Sequence, residues 1–322
     1  MRVKFWGTRG SLAAPLDARA VRAKVRAALE RAAGADLSSP AKIDAFIAER
    51  LDFTIAGTYG GNTSCVEIDA GSGEYVLCDL GTGARVFAHR LSGEPDRGRP
   101  RVFNVFLSHV HWDHIMGFPF FPPAYASGNL VRIHGCHASL EAALRTQHSA
   151  PWFPVDFSAL GARIEFVTLE PGRRYEIAGL EVSAMKQQHT GDSYGYRFER
   201  DGKAVVYSTD SEHRLDRPEE SAAFVAFFKD ADLVIFDAMY SLADAVSVKA
   251  DWGHSSNIVG VELCHRAGVK HYCMFHHEPI HGDAKLHQLL AETVRYEEIS
   301  QERARPGRMR VSSAYDGMEI EL

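Results

Sequence analysis

Several features that would send a chain outside the cell or into a membrane are missing. Its five cysteines, Cys65, Cys78, Cys136, Cys264 and Cys273, stand singly with no C-x-x-C pair. That argues against a disulfide framework, and each thiol is expected to be a small core residue. No apolar run approaches the roughly 18 residues that span a bilayer, and the opening MRVKFWGTRGS lacks the apolar stretch of a secretory signal. A soluble, cytoplasmic protein without membrane contact is therefore expected. A basic surface is also missing. With 36 Lys and Arg against 42 Asp and Glu, the net charge of −6 disfavours a long nucleic acid as partner, because such binding rests on neutralising phosphates. What the 322 residues do provide is 45% hydrophobic content, enough to bury a large core without disulfides.

Histidine is abundant, at 16 residues, several of them beside strand-like segments. The segments VKFWG, CVEIDA, YVLCDL and VFNVFLSHV read as short strands bounded by glycine turns. Between the first two, at about residues 14–51, apolar residues recur at helical spacing (Val21, Val25, Leu29; then Ile43, Phe46, Ile47), broken at Ser38-Ser39-Pro40. This predicts an inserted helical pair within a single domain covering the whole chain. The second half runs through strands around IEFVTL, LEVSAMKQ, YGYRFER, AVVYSTD and LVIFDA, a helix NIVGVELCHRAG, a strand HYCMFHH and a helix from about Ala284. Strands and helices in both halves predict an α/β architecture of two packed sheets with helices outside.

The chemistry concentrates in LSHVHWDHIMG. If a strand ends at Ser108, an extended backbone puts His109 and His111 on one side, where two imidazoles can share a metal. Asp113 and His114 follow as the chain turns, in position for a second metal. Four ligand-type side chains in six residues would be expensive to desolvate without a cation. Further candidates end strand-like segments later in the chain: His189 in KQQHTGD, Asp210 in VVYSTDSE, and His276 or His277 in HYCMFHHEP.

Taken in order, DLGTG, HVHWDH, QHT, STD and FHHEP resemble the five motifs of the metallo-β-lactamase superfamily, across nearly the whole chain except the helical insertion. The resemblance implies a four-layer αββα sandwich holding two divalent metal ions. His109, His111 and His189 would bind one metal and Asp113, His114 and His276 the other, with Asp210 bridging; Asp79 of DLGTG would orient the site through hydrogen bonds. The H-x-x-P spacing from His276 to Pro279 favours His276 over His277. Nitrogen and oxygen ligands without thiolate suit Zn²⁺, and Mn²⁺ or Fe²⁺ also fit. Such a pair of ions would lower the pKa of a shared water to about 7 and clamp an anionic oxygen of the substrate. The resemblance also allows a homodimer.

His111 stands where redox diiron members carry Glu, and Asp210 where well-known β-lactamases carry Cys, so the set resembles a hydrolytic site not built for antibiotics. DWGHSS resembles the segment of tRNA 3′-processing endonucleases and small-phosphodiester hydrolases whose histidine protonates the leaving oxygen. This makes His254 a candidate acid beside Asp113 and Asp210, the alternative being that His254 only belongs to a helix cap with Ser255 and Ser256. No basic, glycine-rich arm lies between His114 and His189, so a small cyclic or nucleoside phosphodiester is the expected substrate. A tRNA 3′-end endonuclease, a thioester or lactone hydrolase, and a nucleotide sensor without turnover are the alternatives. Phe118, Phe120 and Phe121 would form either an aromatic wall for a base or ordinary core. Arg9 would meet a phosphate or pair with an acidic residue. His148, His213, His277 and His281 would line the pocket or serve packing.

Overall fold

A computed structural model of the chain describes residues 1–93, 99–215, 217–241, 252–304 (backbone only over 301–304) and 308–322. The first half contains β1 (Arg2–Gly7), α1 (Ala18–Arg31), α2 (Pro40–Arg50), α3 (Phe53–Ala56), β2 (Cys65–Asp69), β3 (Tyr75–Cys78) and α4 (Gly83–Leu91). It continues through β4 (Val102–Phe106), α5 (Trp112–Ile115), β5 (Leu130–Gly135), α6 (Leu140–Gln147) and β6 (Arg163–Thr168). The second half contains β7 (Arg174–Ile177), β8 (Leu180–Gln187), β9 (Ser193–Arg200), β10 (Lys203–Ser208), α7 (Pro218–Phe228) and β11 (Leu233–Asp237). It closes with α8 (Asn257–Ala267), β12 (His271–Phe275), α9 (Asp283–Ala304), β13 (Arg310–Ser313) and β14 (Glu319–Glu321).

The strands form two seven-stranded sheets, ordered β14-β1-β2-β3-β4-β5-β6 and β13-β12-β11-β10-β9-β8-β7. Their central strands are buried on both faces, so a period of two decides which core each side chain enters. Val76 and Cys78 of β3, Val205 and Tyr207 of β10, and Cys273 and Phe275 of β12 enter the core between the sheets. Leu77, with Phe103 and Val105 of β4, faces the other way, onto α4 and α6. Val206, Val234, Phe236, Tyr272 and Met274 pack against α7, α8 and α9 on the far side. Three apolar cores therefore separate four layers, helix, sheet, sheet and helix, the αββα arrangement that the motifs imply.

Two local differences from the sequence reading have clear causes. Strand β4 ends at Phe106 rather than Ser108, and His111 caps the one-turn helix α5, so His109 and His111 converge through a loop and not through strand alternation. Helix α7 is absent from the sequence reading. Its buried residues Ser221, Phe224 and Phe228 share a face, but Ala, Val and Phe on its other sides blur the helical period. Helices α1 and α2 bury none of their residues fully. Lys24 of α1 fastens this appendage, reaching the carbonyl oxygens of Thr54 and Gly57 and the Asp283 carboxylate at 2.6 Å. Among the described residues no helix is long and apolar enough to cross a membrane.

Candidate metal centre

Parallel pairing aligns the C-terminal ends of β3 and β4 in one sheet and of β10, β11 and β12 in the other. Asp79 follows β3, His109 and the α5 turn follow β4, Asp210 follows β10, Asp237 ends β11, and His276 follows β12. Asp79, Asp210 and His276 adopt left-handed backbone conformations, with φ of 61°, 46° and 58°. Such conformations in residues other than glycine cost about 1 kcal/mol or more each, and the packed sheets hold them where side chains must converge.

The seven residues expected as ligands come together in two groups. In the first, donor atoms of His109, His111 and His189 lie within 4.8 Å of one another; in the second, those of Asp113, His114, Asp210 and His276 do. Asp210 faces both. Its Oδ1 lies 3.1 Å from His114 Nε2 and from His276 Nε2, while its Oδ2 lies 3.7 Å from His109 Nε2 and from His189 Nε2. In the second group Asp113 Oδ2 is 3.1 Å from His114 Nε2 and 3.2 Å from His276 Nε2, and the two imidazole nitrogens are 3.2 Å apart. A tetrahedral Zn²⁺ with ligands at about 2.0–2.1 Å places neighbouring donors about 3.4 Å apart, so this cradle fits such an ion within a few tenths of an ångström. In the first group His189 Nε2 and His111 Nδ1 are 3.1 Å apart, and the buried His109 Nε2 has no hydrogen-bond partner. An orphaned ring nitrogen aimed at two other imidazoles and a carboxylate is what a cation would satisfy.

The electrostatics suit a cation. Burial and the neighbouring imidazoles hold His109 well below the ordinary histidine range. His114 is pushed well above that range although burial opposes its charge, because the Asp210, Asp113 and Asp79 carboxylates surround it. Asp113 and Asp210, whose charge burial also disfavours, are both held below the carboxylate range, with His114 the largest favourable influence.

The surroundings fix these side chains. Asp79 accepts from the Ser108 backbone N–H and hydroxyl at 2.8 Å, and from His114 Nδ1 and the Tyr207 hydroxyl at 2.7 Å. A carboxylate accepts, so His114 carries a proton on Nδ1, and its Nε2, which faces Asp113, Asp210 and His276, is the nitrogen that a cation would take in place of a proton. His189 Nδ1 donates to the Gly253 carbonyl at 2.8 Å, and the Ser11 N–H donates to Asp113 Oδ2 at 2.8 Å. A Cβ on Gly10 would lie 2.6 Å from the His276 ring, so only glycine lets that ring sit where it does.

His254 joins the cluster from the loop before α8, its ring centroid 5.1 Å from those of both His189 and His276. Its Nδ1 donates to Asp237 Oδ2 at 2.8 Å, and its pKa is pushed up to about 9: burial opposes the charge, and the Asp237 carboxylate more than compensates. The following helix is capped by Ser256, whose hydroxyl accepts from the Val259 N–H, while Ser255 bonds His213, so His254 has no part in the cap. Asp237 is a residue the sequence reading missed. The available signal was a carboxylate ending the apolar run LVIFD, the placement shared by Asp79 and Asp210 beyond their own strands.

Other expectations resolve by packing. His277 turns away, its Nε2 2.8 Å from the Ala314 carbonyl and its ring edge-on to Tyr59. Among the described residues no carboxylate forms an ion pair with Arg9. Its buried guanidinium donates to the Gly60, Glu278 and His281 carbonyls, clamping the loop after His276, because the chain returns there with three carbonyls unpaired by strands. Phe118 and Phe121 are core residues and Phe120 is exposed. His148 and His213 are buried packing residues.

An αββα sandwich with an H-x-H-x-D-H cluster at the ends of its strands has the metallo-β-lactamase architecture. Residues 74–277, well over half of the chain, match the β-lactamase superfamily domain, and the chain belongs to that family. It is 24% identical over 243 residues to Ribonuclease BN of Proteus mirabilis (strain HI4320), covering 60% of this chain and 76% of that protein. Among solved structures it resembles the metallo-β-lactamase fold protein YhfI from Bacillus subtilis, with a TM-score of 0.63 at 17% identity over 100% of this chain and 98% of that one. It also resembles a diphosphatase from the PhnP family, with a TM-score of 0.60 at 18% identity over 100% and 97% of the two chains. At these identities the structural likeness is one of fold.

Proposed function

We propose that the chain is a dinuclear-metal-dependent hydrolase of small phosphodiesters, cyclic or nucleoside. The observation that carries this reading is one carboxylate, Asp210, that faces both ligand groups, with the His254–Asp237 pair beside them. Two divalent cations, Zn²⁺ by the donor set, would supply an acidified water and hold the non-bridging phosphoryl oxygens. Asp210 sets the spacing of the two groups, and Asp113, fixed by the Ser11 N–H, orients the second. His254 gives its Nδ1 proton to the hydrogen bond with Asp237, which leaves Nε2–H to protonate the departing alkoxide. Unactivated diesters need that step because an alkoxide is a poor leaving group, and such an acid contributes about 10²–10⁴-fold.

The test is hydrolysis of 3′,5′-cyclic AMP and bis(p-nitrophenyl) phosphate, with metal content measured on the same sample, in wild type, His254→Ala and Asp210→Ala. Turnover of both substrates, with the cyclic nucleotide lost by about 10²-fold or more in His254→Ala and the activated ester far less affected, supports the reading. A fully metallated protein that leaves both diesters intact refutes it. The likeness to a protein named Ribonuclease BN favours one second reading, cleavage of RNA, and the resemblance of DWGHSS to tRNA 3′-processing endonucleases points that reading to the 3′ end. Cleavage of a 3′-extended tRNA with no turnover of cyclic AMP would select it.

A further inference from the structure

Three of the chain's four tryptophans are more than half exposed, Trp112 at 68%, Trp152 at 65% and Trp252 at 58%, whereas Trp6 is buried. Tryptophan is ordinarily well buried, and large exposed apolar side chains grouped together mark a binding surface. These three belong to segments around the metal centre. Trp112 stands between His111 and Asp113. Trp252 precedes Gly253, whose carbonyl receives His189 Nδ1. Trp152 lies in the loop after α6, which Gln147 ties to the end of α5 through the Ile115 carbonyl, and its neighbour Phe153 meets the exposed Phe120 edge-on at 5.5 Å. Leu12, next to the Ser11 that bonds Asp113, and Ile280, in the loop held by Arg9, are exposed as well.

Resting on the phosphodiesterase reading above, we propose that this aromatic collar binds the nucleobase of the substrate, with Trp112 and Trp252 as the stacking residues that set specificity. The chemistry divides in space. The ligand cluster would take the phosphodiester, and the exposed rings of Trp112 and Trp252, next in the chain to His111 and to Gly253, suit a planar π system one sugar away from phosphorus. Arg214 and Arg217 line the cavity beside His189 and Gly253, but the chain's net charge of −6 disfavours an anionic membrane as the occupant. Stacking on tryptophan tolerates any base, so the collar selects nucleotides as a class.

The experiment follows tryptophan fluorescence of the metal-loaded protein during titration with adenosine 5′-monophosphate, ribose 5-phosphate and phosphatidylglycerol vesicles. In parallel it measures kcat/KM for 3′,5′-cyclic AMP and for the 3′,5′-cyclic phosphate of methyl riboside, which lacks the base. Saturable quenching by the adenine nucleotide alone, weakened in Trp112→Leu and Trp252→Leu, is expected. So is a preference of about tenfold or more for the base-bearing diester that shrinks toward unity in the double variant. Turnover of cyclic AMP with a preference the variants leave untouched overturns the collar and spares the hydrolase reading. If neither diester is turned over, the hydrolase reading fails and the titration alone decides: quenching by the nucleotide upholds base binding, whereas no quenching, or a response to vesicles only, overturns it.

Discussion

Replacing Asp79 by asparagine should weaken metal binding at one half of the centre while leaving the backbone in place. Asn tolerates the left-handed conformation that Asp79 adopts at φ 61°, so the substitution adds little strain. What changes is the hydrogen bonding of four buried partners: the Ser108 N–H, the Ser108 hydroxyl, the Tyr207 hydroxyl and His114 Nδ1. The carboxylate receives all four, whereas an amide offers one accepting oxygen and an NH₂ that must face at least one donor. Buried donors left unsatisfied cost about 1–3 kcal/mol each. Stability should therefore fall by about 2–5 kcal/mol, a large part of the roughly 5–15 kcal/mol typical of a domain. The specific consequence concerns His114. An NH₂ facing Nδ1 favours the tautomer with its proton on Nε2, the nitrogen 3.1 Å from Asp113 and Asp210. That proton blocks ligation in the group of Asp113, His114 and His276. Losing such a partner of a ligating histidine typically lowers metal affinity about 10–100-fold. Competition titration against a chromophoric chelator should thus show one Zn²⁺ held near wild-type strength and one weakened by that factor, with urea unfolding reporting stability separately. A variant that binds two ions with wild-type affinity would refute the tautomer argument.

Gly10→Ala should loosen metal held through His276 while leaving the fold intact, since its Cβ would fall 2.6 Å from that ring; two ions per chain at unchanged affinity would contradict this. Lys24→Ala removes the tie between α1 and Asp283, a pair with little solvent exposure, and should destabilise docking of the helical appendage by about 1–3 kcal/mol. Faster proteolysis between α1 and α2 is the expected readout. Burial holds His134, His213 and His271 at about 4. The unfolded chain takes up these protons below about pH 6.5 and the folded one only near pH 4, so stability is complete above pH 6.5 and falls on acidification through that window. At pH 5 the loss is about 2 kcal/mol per histidine. The urea midpoint should drop between pH 7 and pH 5, less steeply in His271→Asn, and a flat profile would argue against buried neutral imidazoles.

The sequence by itself determined which residues carry ligand-type side chains close together and which segments read as strand or helix. His109, His111, Asp113 and His114 sit within six residues, so no long-range folding is needed to see them as a cluster. The apolar runs of β3, β10 and β12 likewise mark buried strands without any partner, although being apolar on both faces they do not say which core each face meets. Only the tertiary structure decided what those faces and ends meet. The H-x-x-P resemblance favours His276 over His277, but what separates them is a left-handed backbone at His276 that sends one ring to Asp113 and the other to the Ala314 carbonyl. Asp237 acquires its relation to His254 across 17 positions that end on different elements, and Arg9 finds its three carbonyls in loops up to 272 residues away. Phe118, Phe120 and Phe121 share one short segment, yet a tight turn buries two and leaves the third at the rim. Periodicity is local and survives in a linear string, whereas sheet order, loop return and backbone handedness at single residues are set by contacts between segments far apart in the chain.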